Sequence, residues 1–204
     1  MDLRLESSLP SDYLRELPPV VGWRSPLVQA KVAWIAGRAA SKAERAKLAF
    51  EVARDEVAHS FDTGNPAVAI AAEETLRDGN GICFAKAHLL AALLRGLGIP
   101  CGFCYQQVLR KGTVESGYAL HGLNAVYLDG PGWFRVDPRG NKPGPPRIDA
   151  QFSIAPERLA YPIRPELGEV DYPQVFTAPL PSVLQAMAAS KDSQDLFTRR
   201  PEAL

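Results

Sequence analysis

The run from Gly79 to Pro100, GNGICFAKAHLLAALLRGLGIP, constrains this chain more than any other. A glycine-bearing turn leads into residues that favour helix, and Leu90, Leu93, Leu94 and Leu97 recur at helical spacing. Gly96 and Gly98 supply the stop and Pro100 lies just beyond. Cys83 therefore falls at the start of an apolar helix, where backbone N–H groups are free and the helix dipole is positive. That field favours thiolate over thiol. A buried cysteine can also be a small hydrophobe, so the rest of the chain must decide between the two.

The flanking pattern divides at Pro100. Before it, helices are expected from Pro26 to about Ala39, from Ser41 (with Glu44 as a capping box) to about His59, and from Ala67 to about Arg77 with Asn65 as N-cap. After it, 103–109, 118–128 and 133–137 read as strands. Asp129-Gly130-Pro131-Gly132 forms the turn between the last two. Helices first and an antiparallel sheet after them define an α+β class. The whole of 1–204 is expected to be one domain. Within it, the proline-rich stretch 141–190 should wrap as extended chain with one short helix near 182–189, and 191–204 should be a polar, frayed tail.

Formal net charge is zero, so no basic field points to nucleic acid or to an anionic membrane surface. No apolar run reaches the length of a membrane span. The N-terminal MDLRLE lacks an apolar signal core, which leads to an expected cytoplasmic location. Three cysteines do not make a disulfide framework. Cys101-Gly102-Phe103-Cys104 has redox or half-zinc spacing, but it enters a strand rather than opening a helix, and no second ligand pair exists. Both cysteines are read as strand residues.

A nucleophilic cysteine needs a base, and the base an orienting group. His88 follows Cys83 by five positions, about 140° around the helix, and cannot easily reach the sulfur. His59 sits at a helix end. His121 lies on a strand, with Gly122 beside it allowing close approach. Asp137 ends the next strand; the hairpin brings it beside His121. The two share a face if the loop has three or five residues, and do not if it has two or four.

These pieces, GNGIC opening the helix, LLRGLGIP closing it, HGLNAVYL and GWFRVDP, resemble the transglutaminase-like superfamily within the papain-like cysteine enzymes. The ordered match spans about 50–140, within a core region of about 26–140. The resemblance implies Cys83 as nucleophile, His121 as general base and acid, and Asp137 as the group orienting His121. It implies acyl transfer or hydrolysis at an amide bond of a peptide or peptide-like substrate, with no cofactor and no metal. The alternative is a catalytically silent domain of this type that binds a peptide or protein partner. The chain departs from many members in having Phe84-Ala85-Lys86 after the cysteine and Gly122-Leu123 after the histidine, which bears on the substrate. For the oxyanion, the Cys83 N–H is one candidate donor; the second is sought in His59 to Asp62 or at Gln106 and Gln107.

Overall fold

The computed structural model describes residues 2–144 and 147–204. Helix α1 spans Pro26–Ala36, α2 Lys42–Glu51, α3 Ala72–Asp78, α4 Cys83–Gly96, α5 Pro181–Ala189 and α6 Ser193–Arg199. Strands β1 (Cys101–Leu109), β2 (Tyr118–Leu128), β3 (Gly132–Val136) and β4 (Val170–Asp171) form an antiparallel sheet in the order β3-β2-β1-β4. The α+β class read from the sequence is the observed one.

Helix α4 is the centre of the molecule. Every residue from Cys83 to Arg95 is buried, apolar and polar alike. It lies between the sheet on one side and α1, α2 and α3 on the other. Leu90, Leu93 and Leu94 are fully buried, and each such side chain contributes roughly 1.5–3 kcal/mol. Leu97, expected to be buried with them, is partly exposed because the helix has already ended: Gly98 takes φ +71° and Ile99 N–H donates to Leu94 O at 2.9 Å.

Three buried polar side chains on α4 each hold a distant loop by its backbone. Lys86 Nζ donates to Arg54 O (3.1 Å) and to Val57 O, and His88 Nδ1 donates to Ile70 O (2.8 Å). Arg95 donates to Cys101 O, Arg15 O and Thr177 O. These bonds explain two departures from the sequence reading. The Ser41/Glu44 capping box is present, but α2 ends at Glu51. The chain then makes a wide π-type turn at Val52–Glu56, where Lys86 takes two carbonyls, and enters a two-residue strand, Ala58–His59, parallel to Asn80–Gly81. Likewise α3 begins at Ala72 rather than Ala67. Ile70 O is held by His88, and Glu74 accepts from Ala71 N–H at 3.0 Å. Asn65 caps only Ala67 N–H (2.9 Å), making a turn.

The segment after Arg139 wraps the domain. It adds β4 to the sheet edge and the bridge Phe103↔Phe176. Phe152, Leu159, Tyr161, Tyr172 and Phe176 are half-buried against the core clusters. The tail is the clearest correction. Residues 191–204 are not frayed: Asp192 caps α6 by accepting from Asp195 N–H (2.7 Å), Leu196 is fully buried, and Pro201 O accepts from Leu120 N–H at 2.7 Å. Polar composition concealed this because the few anchoring residues lie among solvated ones.

Candidate active site

The N-cap of α4 is Ile82, whose side chain gives no cap, so the first-turn N–H groups around Cys83 have no side-chain acceptor there. Strand β2 brings His121 to this helix end. The close approach rests on Gly122: a Cβ there would fall 2.6 Å from Phe84 Cδ1. Leu128 pairs with Gly132, so the hairpin loop has three residues, the case that puts His121 and Asp137 on one face. His121 Nε2 and Asp137 Oδ2 are 2.8 Å apart. That leaves Nδ1 free to serve Cys83, which lines the same cavity, and each group shifts the titration of the other.

All three groups are almost completely buried. Burial pushes the Cys83 thiol up, but the neighbouring His121 outweighs it. The Arg200 charge and Gly122 N–H add to the effect of His121, and the thiol is held below its ordinary value. Burial pushes His121 down, but the Asp137 charge and hydrogen bond, with Cys83, raise it to about 9. Burial would raise Asp137; instead His121, Ala160 N–H (3.0 Å) and Arg139 N–H (3.0 Å) lower it. The shifts of sulfur and imidazole are opposed, the thiol down and the imidazole up. By contrast, burial raises Cys101 to about 12 and raises Cys104 further. The two lie in different core clusters, and all three cysteines are free.

Cys83 and His121 open onto a cavity of about 580 Å³ whose wall includes His59, Arg139, Tyr161 and Arg200. Tyr161 stands edge-on to His121 (centroids 4.8 Å, 88°) and accepts from Arg139 Nε at 2.9 Å. The Arg139 guanidinium in turn pairs with Asp62. This clamp ties the segment after β3 to the His59–Asp62 segment. His59 Nδ1 is buried without a partner among the described residues. Burial, then the positive charges of Arg139 and Lys86, hold its pKa well below the usual range, so the ring is neutral.

Of the residues proposed from sequence as oxyanion donors, only His59 and Phe61 reach the cavity wall together with Cys83. Gln106 instead donates to Asp171, and Gln107 donates to Gly168 O. His88 is spent on Ile70. Sequence reasoning missed Arg139 and Arg200; Tyr161 is one of the aromatics of the proline-rich stretch, some of which are expected near the cleft rim. Arg139 directly follows the Asp137-Pro138 pair and could have been suspected; Arg200 carried no local signal.

Among the described residues no cluster of three or more His, Cys, Asp or Glu could hold a metal ion, and no helix is long and apolar enough to cross a membrane.

The profile of the transglutaminase-like superfamily matches residues 29–138, more than half of the chain. Among proteins of curated function none matches in sequence. The fold is similar to a crystal structure described as a candidate cysteine protease from Cytophaga hutchinsonii, with TM-score 0.51 and 18% identity; the match covers 65% of this chain and 43% of that one. A further similarity is to the periplasmic domain of TgpA from Pseudomonas aeruginosa, with TM-score 0.47 and 21% identity over 65% of this chain and 50% of that one. The matched region spans half or less of either structure.

Proposed function

Because this chain belongs to the transglutaminase-like superfamily, we propose that it is a cysteine-dependent hydrolase or acyltransferase acting on an amide bond of a peptide-like substrate. The observation that carries this reading is the opposed perturbation of Cys83 and His121 at the wall of one cavity, with Asp137 bound to the far ring nitrogen.

In the proposed reaction the Cys83 thiolate attacks the amide carbonyl carbon. A C–S bond forms and the carbonyl electron pair moves to oxygen. The Cys83 N–H at the helix start and the neutral ring of His59 are the proposed donors to that oxyanion. Collapse breaks the C–N bond, and the leaving amine takes its proton from His121. Water or an amine then gives a proton to His121 and attacks the thioester, releasing the acyl product and restoring the thiolate. Asp137 keeps the ring in the tautomer and orientation that both transfers need.

Iodoacetamide alkylation across pH tests the assignment. Cys83 is expected to react well below pH 8 and far faster than Cys101 or Cys104, and Cys83→Ala is expected to lose that reaction while keeping its fold. A Cys83 no more reactive than the other two would leave the silent, peptide-binding alternative.

A further inference from the structure

Arg200 is 8% exposed, yet it has no carboxylate partner among the described residues. Its Nε makes one long contact, 3.4 Å, to Phe197 O, and its Nη2 is buried with no acceptor among the described residues. The guanidinium lies over the rings of Phe61 (5.0 Å) and Phe197 (4.7 Å). A buried, unpaired cation is costly, and proteins keep one where something else supplies the counter-charge.

Four other cations of the same wall are already matched. Arg139 and Lys142 share Asp62, Arg164 pairs with Glu169, and Arg110 reaches Glu202 and two backbone carbonyls. Lys111 is exposed. Among the described residues Glu169 is the single acid lining the cavity, so a chain with zero formal charge presents a positive site. Arg200 is its buried member without a carboxylate partner among the described residues; the charge of Cys83 is the largest that acts on it.

We propose that Arg200 receives a carboxylate of the substrate, which makes the substrate an acidic peptide whose negative group lies close to the scissile amide. The planar fork of arginine suits a carboxylate held by paired N–H donors. The carboxylate comes either from a free peptide C-terminus or from an Asp or Glu side chain. This rests on Cys83 being the nucleophile of the same cavity.

Two measurements on the full chain test it. In the first, Cys83 is alkylated with iodoacetate and with iodoacetamide, a matched anionic and neutral pair from which the thiolate displaces iodide. The iodoacetate-to-iodoacetamide rate ratio is expected to fall roughly tenfold or more in Arg200→Gln, in keeping with loss of a charge-assisted hydrogen bond. Arg200→Lys should retain part of it. If both rates fall together and the ratio holds, Arg200 serves the thiolate and the proposal is overturned.

The second measurement needs no reaction. Titrations of the Cys83→Ala chain compare N-acetyl-Ala-Ala with its carboxamide, and N-acetyl-Ala-Asp-amide with N-acetyl-Ala-Asn-amide. At least one acid is expected to bind about tenfold tighter than its neutral twin, and which pair shows the difference identifies the source of the carboxylate. The preference should vanish in Cys83→Ala/Arg200→Gln. No preference in either pair, or one that survives loss of Arg200, overturns the proposal. An unreactive Cys83 with an intact acid preference would instead sink the catalytic reading and leave the anion site standing.

Discussion

Gly122→Ala is the most informative single change in this molecule. The added Cβ would sit 2.6 Å from Phe84 Cδ1 and 3.2 Å from Cε1, where carbon–carbon contacts normally stand at about 3.5–4.0 Å. Roughly 1 Å of separation must be found. Phe84 is 1% exposed and packed against Tyr105, so its ring cannot swing away. The displacement therefore falls on β2 against α4. Phe84 adjoins Cys83 and Gly122 adjoins His121, so the same movement separates sulfur from imidazole. Overpacking of this size costs about 1–3 kcal/mol of stability. For a chain of this length that lowers Tm by roughly 2–4 °C per kcal/mol. A 1 Å misplacement of reacting groups costs on the order of 10²-fold in rate. The assays are thermal unfolding and the pH profile of Cys83 alkylation, where the thiolate midpoint should move up as the imidazolium recedes. Phe84→Ala/Gly122→Ala should show a favourable coupling of roughly 0.5–3 kcal/mol relative to the two single changes, since the ring that clashes is gone. A Gly122→Ala protein with unchanged Tm and an unchanged alkylation profile would refute the reasoning. One that lost stability but kept the profile would restrict the contact to packing.

Asp137→Asn should lower turnover of any amide substrate by roughly 10²–10⁴-fold, because His121 loses its raised pKa and its preferred tautomer. A Cys83 alkylation midpoint that did not rise would count against a role for Asp137 in the pair. Lys86 is pulled from 10.5 to about 7, by burial first and then by Arg139. The unfolded chain therefore binds more protons than the folded one between about pH 7 and 10.5, and stability should rise with pH across that window. The slope is at most about 1.4 kcal/mol per pH unit. In Lys86→Met that component should be absent, while the whole curve drops because the carbonyls of Arg54 and Val57 lose their donor. Urea unfolding at several pH values reads both effects, and parallel slopes for the two proteins would contradict the first.

What could be read from the sequence was mostly what neighbouring residues decide among themselves. The helix opened by Cys83 and the strand Tyr118–Leu128 follow from periodicity and turn residues, and both lie within a residue or two of the expected bounds. The pairing of His121 with Asp137 needed one further quantity, the loop length, which parity reduced to two sets of cases and the structure resolved as three residues. The end of α2, the start of α3 and the order of the tail were not legible. Each is set by a bond across long sequence separation: Lys86 to Arg54 and Val57, His88 to Ile70, and Ser193 N–H to Pro66 O at 2.9 Å. Arg200 was missed for the same reason, since only the folded chain carries the tail to the cavity.

The three polar side chains of α4 also bear on how the molecule can fold. Lys86, His88 and Arg95 draw their acceptors from both sides of the helix in sequence, Arg15 near one end of the chain and Thr177 near the other. An intermediate with α4 docked on the sheet but the loops not yet arrived would bury Lys86 and His88 without acceptors and leave Arg95 with Cys101 O alone, at several kcal/mol in all. Such a species is scarcely populated, so insertion of the helix and closure of the loops become one event. The amides of α4 should then exchange with solvent only through global unfolding, all at the same free energy, and not by stepwise opening from either end.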